Sequence, residues 1–314
     1  MLTSEELTFD SRFIQKNMET AQTPFRDPAF FFNYLAGAAI VKAFCRPLGA
    51  IMRILISNDD GIYSRNLHQL YAALRRAGHD VRAAAPAEQH SGAGCCLTVH
   101  DPILTRKVSL PDAAGGPFEG VAVAGTPADC VILALRGLMP EFRPELIVSG
   151  INFGANAGQD VFFSGTVGAA IQGAMYGVPT LAVSHCSYTG ATQAHADLVA
   201  RVVAVMDWKS LPLHRVYNFN LPDYPADEIR GLKVCRHSTD WACLDSYERR
   251  VSPRGQEYFW MIDPFQHFQL EDEGTDKSWL HKGWATLSPL SIDLNDAETA
   301  KMLNENSLWE QIHS

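Results

Sequence analysis

Residues 52–61 read MRILISNDDG, a short apolar strand that runs directly into two neighbouring carboxylates and a glycine. The apolar residues of 66–77 recur at helical spacing, and 81–85 form a second apolar strand that ends at Pro86. A buried strand, a helix and another buried strand are typical of a right-handed β–α–β crossover. This stretch therefore predicts the start of a parallel sheet.

The same alternation continues along the chain. Further strands are predicted at 121–124, 145–149 and 179–184, and further helices at 127–138, 166–176 and 194–206. Continuous apolar strands separated by helices predict a Rossmann-like, doubly wound and mostly parallel α/β sheet. Within a domain spanning 52–293, residues from about 216 onward read as strands without intervening helices, which predicts a β-rich arm. The last segment, 294–314, is predicted to carry a terminal helix at 294–312.

Residues 1–51 differ in residue pattern from the domain that follows, in which strands and helices alternate. The first 22 residues are polar and charged, and the apolar run 29–44 is too short to cross a membrane. Its acidic start does not suit a signal peptide. Two interpretations stay open: Met52 is the natural start and the extension is misassigned, or the extension is a lineage-specific arm that docks on the domain or on a partner.

Composition excludes several classes of protein. Of the 314 residues, 46% are hydrophobic, which is enough for a large core. A net charge of −9 does not suit a general binder of nucleic-acid backbones, so no duplex partner is expected. The seven cysteines form no CxxC pair and predict reduced thiols in a cytoplasmic protein. No apolar run reaches membrane-spanning length, so no membrane partner is expected.

Polar residues follow three of the predicted strands. Because ligands bind beyond the carboxyl ends of strands in open α/β sheets, these residues are expected to meet there. Asp59 and Asp60 follow the first strand, Ser91 and Gly92 lie after the second, and Asn152 begins a glycine-rich loop after 145–149. Carboxylate, hydroxyl and amide oxygens suit a hard divalent cation. Taken alone, the acidic pair also fits an ordinary capped Asp-Gly turn.

An anion site is predicted beside these oxygens. Ser164, Gly165 and Thr166 open a helix, where backbone N–H groups and hydroxyls can hold a phosphate. The alternative is that Ser164 or Thr166 only caps the helix. Neither a Walker A loop nor a GxGxxG fingerprint is present. A cation site beside a phosphate site is typical of metal-assisted phosphoester hydrolysis, in which the cation polarises the phosphoryl group and lowers the pKa of a bound water.

From Met52 to about Asp293 the chain resembles the SurE family of nucleotidases. The resemblance rests on SNDDG at 57–61, the Ala85–Gly94 segment with QHSGAG, GTPADCV at 125–131, SGINFGANAGQDVFFSGTVGAA at 149–170, GVPTLAVS at 177–184, and GTD with GWATLSPL within 274–290. The long block 149–170 is highly specific. The resemblance covers nearly all of the chain after Met52.

This resemblance implies a divalent-metal-dependent phosphatase that acts on nucleoside monophosphates. We expect it to hydrolyse 5′-monophosphates by attack of a metal-activated water, with 3′-monophosphates as the alternative substrate. The resemblance also implies one Mg²⁺ or Mn²⁺, with Ca²⁺ as another occupant, and a β-rich arm swapped within a homodimer or homotetramer. The implied metal ligands are Asp59, Asp60, Ser91 and Asn152. The implied catalytic carboxylates are Asp59, Asp60 and Asp160, with Asp60 or Asp160 orienting the water. The implied phosphate or substrate contacts are Asn156, Ser164, Gly165 and Thr166, beside Gly92.

The chain departs from the family pattern at the rim of the site. Residues 62–66 replace the usual Ala-Pro-Gly turn, Gln159 and Phe163 replace an acidic residue and a tyrosine, and Ser291 stands where a histidine is common. These changes keep two alternatives open: a hydrolase of another phosphoester or of polyphosphate, and a metal- and nucleotide-binding regulator without turnover. His90, His185 and the aromatic run Tyr258–Trp260 are interpreted as ordinary loop or packing residues.

Overall fold

A computed structural model describes residues 50–110, 117–187, 189–239, 247–261, 273–305 and 312. Both interpretations of the N-terminal extension therefore concern residues that lie almost wholly outside the described part of the chain.

The described strands account for most of the fold's architecture. They are β1 (Arg53–Ser57), β2 (Asp80–Pro86), β3 (Thr105–Leu110), β4 (Phe118–Val123), β5 (Leu146–Phe153), β6 (Thr180–His185), β7 (Arg215–Leu221), β8 (Leu232–Val234), β9 (Tyr247–Val251), β10 (Glu257–Met261) and β11 (Ala285–Ser291). Nine of them form one sheet in the order β3-β4-β2-β1-β5-β6-β7-β11-β8. The six strands from β4 to β7 in that order run parallel. β3 and β11 pair antiparallel with β4 and β7.

Helices cover both faces of the sheet. They are α1 (Arg65–Arg76), α2 (Pro127–Leu133), α3 (Gly165–Met175), α4 (Gln193–Val205), α5 (Asp276–His281) and α6 (Ala297–Glu305). Apolar residues of α1 and α4 pack in one core cluster with one set of strand residues. Those of α2 and α3 pack with the alternate strand residues in two other clusters. This arrangement confirms the predicted doubly wound, mostly parallel α/β fold.

Local structure differs from the sequence prediction at three places near the site. β5 does not end at 149 but continues through Asn152 to Phe153, because its register with β6 shifts and then resumes at Asn152 and Ser184. The predicted helix 127–138 is α-helical only to Leu133 and ends in a π-helical turn. The C-terminal arm is not free of helices, since α5 precedes β11.

The edges of the fold also differ from the prediction. Strand β3 is not predicted from the sequence, because its residues Thr105, Arg106 and Lys107 are exposed and polar at the edge of the sheet. It placed a helix over 294–312, whereas α6 spans Ala297–Glu305 and 306–311 lies outside the described residues. Strands β9 and β10 form a separate antiparallel hairpin, and all ten of their residues are exposed. In the described part of the chain, no helix has the length and apolar character needed to cross a bilayer.

Candidate active site

The turn after β1 is held by an asparagine. Asn58 donates from its Nδ2 to the Gly61 carbonyl (3.1 Å), and its Oδ1 accepts from the Gly61 N–H (3.2 Å). Asn58 itself is fully buried. Because both ends of this turn are fixed by one buried side chain, Asp59 and Asp60 are carried on rigid backbone at the carboxyl end of a central strand.

Asp59 is bound to the start of α3. The Thr166 hydroxyl donates to Asp59 Oδ1 at 2.6 Å. Hydrogen bonds from the Thr166 side chain and from the Gly165 and Thr166 backbone lower the pKa of Asp59, but burial is the larger effect and raises it. A Cβ on Gly165 would lie 2.8 Å from Asp59 Cβ, so only glycine allows this approach. The helix start and the first acidic residue therefore form one unit, although 107 positions separate Asp59 from Thr166.

The predicted phosphate-binding residues at the start of α3 contact a carboxylate of the protein itself, that of Asp59. Ser164 Oγ accepts from the Val167 N–H (3.1 Å), which is the capping role that the sequence left open. Thr166 is fully buried and donates to Asp59. Charge on Asp59 offsets the positive end of the helix, so any phosphate bound here would share these donors with that carboxylate.

Asp60 has an unsatisfied buried oxygen. Its Oδ2 is buried and has no hydrogen-bond partner among the described residues. Burial, followed by the charge of Asp59, raises the pKa of Asp60 to about 7, while a hydrogen bond from the Phe153 backbone lowers it. The Phe153 contact places Asp60 beside the end of β5, next to Asn152. An anionic oxygen without a donor is suited to a cation.

Asn152 and Asn156 are both fixed by neighbouring groups. Asn152 donates from Nδ2 to the carbonyls of Phe153 (3.2 Å) and Gly154 (2.9 Å), which leaves its amide oxygen as the remaining acceptor. Asn156 donates from Nδ2 to Ser184 Oγ (2.8 Å) and from its backbone N–H to Asn220 Oδ1 (2.9 Å). The structure therefore ties Asn156 to β6 and β7, a positioning role beyond the predicted substrate contact.

The loop with Ser91 and Gly92 is joined to the acidic turn through its backbone. The His90 N–H donates to the Asp59 carbonyl at 2.7 Å. Ser91 is exposed, and its Oγ accepts from Gln89 Nε2 at 2.9 Å. Gly92 is exposed with φ 76° and has nothing near its Cβ position, so it borders open space. The structure therefore places this hydroxyl on a loop next to the acidic turn, with Gln89 as its hydrogen-bond partner.

Asp160 belongs to a separate charged group beside the glycine-rich loop. Lys277 Nζ lies 4.0 Å from Asp160 Oδ2, and the lysine side chain is only 7% exposed. Burial raises the pKa of Asp160, the Lys277 charge lowers it, and Asp276 raises it. Lys277 lies against the backbone of Gly158, since a Cβ there would be 2.6 Å from Lys277 Cε.

Asp276 ties the arm to this loop. Its Oδ2 accepts from the Gly158 N–H (2.9 Å), and its Oδ1 accepts from the N–H groups of Ser238 (2.8 Å) and Lys277 (2.8 Å). The carboxylate is fully buried. Neither Asp276 nor Lys277 is predicted from the sequence to have a role in the site. The only sequence signal near these two residues is the GTD motif at 274–276, which is part of the family resemblance but carries no assigned function.

The donor set fits a hard divalent cation. Asp59 and Asp60 supply carboxylates, Asn152 an amide oxygen and Ser91 a hydroxyl. Across the described ranges, no group of three or more His, Cys, Asp and Glu residues could hold a metal ion. This finding is compatible with the set, because only two of its four members are of those types. The observation that favours a cation is Oδ2 of Asp60, which is buried and has no partner within the described ranges.

The histidines named from sequence have other surroundings. The His185 ring contacts the His195 ring at a tilted angle of 57°, with centroids 4.4 Å apart, and burial is the main reason that the pKa of His185 falls to about 4. It is therefore a neutral core residue at neutral pH. Tyr258, Phe259 and Trp260 lie on the exposed hairpin, and Ser291 ends β11 at an exposed position.

Comparison with known proteins decides the family. The family model described as "Survival protein SurE" matches residues 54–242, which is more than half of the chain. The chain belongs to the survival protein SurE family. It is 42% identical over 254 residues to a protein named 5′-nucleotidase SurE from Desulfovibrio desulfuricans, covering 79% of this chain and 95% of the relative. A 5′-nucleotidase SurE from Stenotrophomonas maltophilia is 39% identical over 254 residues, covering 77% and 91%.

A solved structure supports the fold over the same region. The crystal structure of the SurE protein from Aquifex aeolicus matches with a TM-score of 0.66 and 31% identity. The match covers 81% of this chain and 98% of that protein. The likeness thus extends over most of this chain and nearly all of that protein.

Proposed function

We propose that this protein is a metal-dependent phosphomonoesterase that hydrolyses nucleoside 5′-monophosphates to nucleoside and phosphate. The relatives at 42% and 39% identity are named 5′-nucleotidases, which supports a nucleotidase. The observation that carries the metal dependence is the acidic pair after β1, in which Asp60 keeps a buried oxygen that has no hydrogen-bond partner in the described part of the chain.

One divalent cation, Mg²⁺ or Mn²⁺, would be held by Asp59, Asp60, Asn152 and the Ser91 hydroxyl. When bound, such an ion polarises a phosphoryl oxygen and makes water more acidic. The chain's own residues supply the frame. Thr166 holds Asp59 in one orientation, and the two carbonyls that accept from Asn152 Nδ2 fix its amide. Preorganised ligands of this kind cost little reorganisation during the reaction.

Asp160 is the proposed acceptor of the proton from the attacking water. It is separate from the proposed ligands, so its carboxylate is available to move a proton. Burial raises the pKa of Asp160, and the charge of Lys277 opposes this effect and favours the ionised carboxylate. The start of α3, with Ser164, Gly165 and Thr166, and the fixed amide of Asn156 would contact the phosphate and position it between these groups.

The test is phosphate release from a panel of nucleoside 5′- and 3′-monophosphates, each with EDTA, Mg²⁺ or Mn²⁺. We expect turnover of 5′-monophosphates that EDTA abolishes. Asp59→Asn should lower kcat/KM by at least roughly 10³-fold, because it removes a proposed ligand that no other group replaces. Asp101→Asn, at an exposed position, is the matched control and should retain activity.

Other outcomes separate the alternatives. Faster release from 3′-monophosphates or from tripolyphosphate would assign the site to a different phosphoester. Nucleotide binding without release, in a protein with an intact thermal transition, would favour a regulator without turnover. Full activity of a folded Asp59→Asn variant would contradict the proposed metal site.

We also propose a homodimer, or a pair of such dimers, in the cytoplasm. The β9–β10 hairpin exposes Tyr247, Phe259, Trp260 and Met261, each at least half exposed. A two-stranded hairpin is marginally stable in water, so a second copy of this chain is the proposed cover. The five described cysteines are free, which is consistent with a reducing compartment.

A further inference from the structure

Two neighbouring thiols lie beside the proposed site but take no part in it. Cys95 and Cys96 are consecutive, exposed and free. They stand four and five positions after Ser91, on the segment that leads from the proposed ligand loop toward β3. Consecutive Cα atoms are about 3.8 Å apart, so the two thiols are carried by neighbouring residues of one exposed segment.

The backbone of this segment is fixed on both sides of the thiols. The Gly94 N–H donates to the Phe163 carbonyl at 2.9 Å. The Thr126 hydroxyl donates to the Cys96 carbonyl at 2.6 Å. The segment therefore lies between the start of α3 and the start of α2. A displacement of the segment would disturb the hydrogen bonds at both of these helix starts.

The two sulfurs have different neighbours. Gln172 Nε2 donates to Cys95 Sγ at 3.0 Å, and Cys95 Sγ donates to the Gly168 carbonyl on α3 at 3.7 Å. Cys96 Sγ instead donates to the Leu97 carbonyl at 3.9 Å. To form a bond with each other, at least one of the sulfurs must leave its present partners.

The other described cysteines are poor competitors for an oxidant. Burial raises the pKa of Cys130 well above its usual value, that of Cys186 to about 12 and that of Cys235 to about 11. Because the thiolate is the reactive form, these three are protected. Exposure therefore singles out the neighbouring pair within the described part of the chain.

We propose that Cys95 and Cys96 form a vicinal dithiol site that a hydroperoxide oxidises reversibly to a disulfide. One thiolate attacks the outer peroxide oxygen and becomes a sulfenic acid, while the other oxygen leaves as an alcohol or water. The second thiol then displaces water from the sulfenic sulfur and forms the S–S bond. Two thiols and one hydroperoxide thus give one disulfide, one alcohol or water, and one further water.

Such a disulfide is strained and easily reversed. The usual Cα separation in disulfides is about 4.4–6.8 Å, which adjacent residues cannot reach without distortion. Strained disulfides are the readily reduced ones. Closure would draw Cys95 away from α3 and strain the bonds at Gly94 and Cys96. We therefore expect it to displace the Ser91 loop and lower phosphatase turnover; this second effect rests on the proposed function.

The test uses the full-length protein, treated with hydrogen peroxide, alkylated and then digested with trypsin. The peptide 83–106 contains Cys95 and Cys96 and no other cysteine. We expect it to become lighter by two hydrogen atoms and to escape alkylation, and a dithiol reductant should restore both thiols. Cys95→Ser and Cys96→Ser should each abolish this product, whereas Cys235→Ser should leave it unchanged.

Three outcomes would overturn the proposal: a peptide that stays doubly alkylated, one that proceeds to sulfinic acid, or one that crosslinks to another cysteine. The mass readout does not depend on activity, so it stays valid even if the reduced protein releases no phosphate. If the protein is an active phosphatase, closure should reduce turnover by roughly a hundredfold, the effect of a loop displacement of about 1 Å. Unchanged turnover of the closed form would refute the coupling to the site.

Discussion

Asp59 and Asp60 are neighbours in the chain, but the fold treats their carboxylates differently. Asp59 is held by the Thr166 hydroxyl and lies against Gly165. Asp60 keeps an oxygen that is buried and without a partner among the described residues. The Asp59 carboxylate therefore has a hydrogen-bond donor from the protein. Ionised Asp60 destabilises the folded state, and a bound cation would remove this destabilisation.

The cost at Asp60 predicts a pH-dependent stability. Its pKa is about 7 in the folded protein against 3.8 for the ordinary group. The folded state thus binds more protons between these values, and stability falls as pH rises from about 4 to about 7. In EDTA at about pH 8, Asp60→Asn should raise the free energy of unfolding by about 1–4 kcal/mol. At about pH 4 it should have little effect.

Urea unfolding of both proteins at the two pH values measures this difference. Asp101→Asn is the control, because its side chain is exposed. Adding Mn²⁺ at about pH 8 should stabilise the unmodified protein more than the variant, since a ligand stabilises the state that binds it. A variant that is less stable at both pH values would contradict the assigned cost.

Lys277 gives a second prediction for single residues. Lys277→Met removes the charge beside Asp160 and should raise the pKa of that carboxyl. Because Asp160 must be ionised to accept a proton, the acid limb of the kcat profile should move to higher pH. Lys277→Arg keeps the charge and should restore the profile in part, limited by the close packing against Gly158. An unchanged acid limb in a folded Lys277→Met variant would exclude this role.

At the scale of elements, α3 is the part that joins the site together. Its first residues contact Asp59, and its side meets the loop from Gly94 to Cys96. A Cβ on Gly168 would lie 2.1 Å from the Gly94 carbonyl oxygen, which is shorter than any tolerated contact. A stripe of small residues on one helix therefore sets how near the two loops can come.

The close approach predicts a large effect for a small change. Gly168→Ala should reduce the free energy of unfolding by about 1–3 kcal/mol, the usual cost of overpacking. It should also weaken the activity, because the loop with Ser91 must move away. Gly137→Ala is the control, since nothing lies within 4 Å of its Cβ position. Calorimetry and phosphate release measure the two effects, and equal stability of both variants would contradict the packing argument.

Sequence periodicity predicted the elements that depend on local pattern. The apolar runs at β1, β2 and β6 and the helical spacing of α1 determine their own structure. The continuation of β5 to Phe153 could not be predicted, because the glycine-rich residues pair only through the ladder of β6. Nor could the short α5, whose charged residues Asp276 and Lys277 are buried by partners far away in the chain.

In the site, too, some features follow from local sequence pattern and others only from long-range packing. The strand-end rule brought Asp59, Asp60 and Asn152 to one edge of the sheet, because parallel strands align their ends. The bond between Asp59 and Thr166 and the one between Gly158 and Asp276 span more than 100 positions each. Such contacts follow from the packing of whole elements, and no local spacing contains them.

On the scale of the whole molecule, the β9–β10 hairpin exposes large apolar and aromatic side chains. Cross-strand neighbours place Tyr247, Phe259 and Met261 on one face and Tyr258 and Trp260 on the other. Both faces are exposed in the single chain. Exposed groups of neighbouring aromatic side chains are typical of an interface between protein chains.

The proposed dimer is therefore expected to depend on the aromatic side chains of the β9–β10 hairpin. Replacing Phe259 and Trp260 together by serine should shift the protein from dimer or larger species to monomer, as measured by analytical ultracentrifugation. The exposed Met302→Ser and Leu303→Ser pair on α6 is the control and should leave the mass unchanged. A dimer that survives the hairpin change, with an unaltered sedimentation coefficient, would assign the interface elsewhere.

The position of β11 has a consequence for how the protein is made. This strand comes late in the chain yet lies inside the sheet, between β7 and β8, and α5 just before it supplies the carboxylate that holds Gly158. A nascent chain that has left the ribosome only as far as β7 has both aspartates but neither the buried anchor of the glycine-rich loop nor the neighbour of β7. Translation must therefore pass α5 before the glycine-rich loop is anchored, so a product truncated before α5 lacks the hydrogen bond from Gly158 to Asp276.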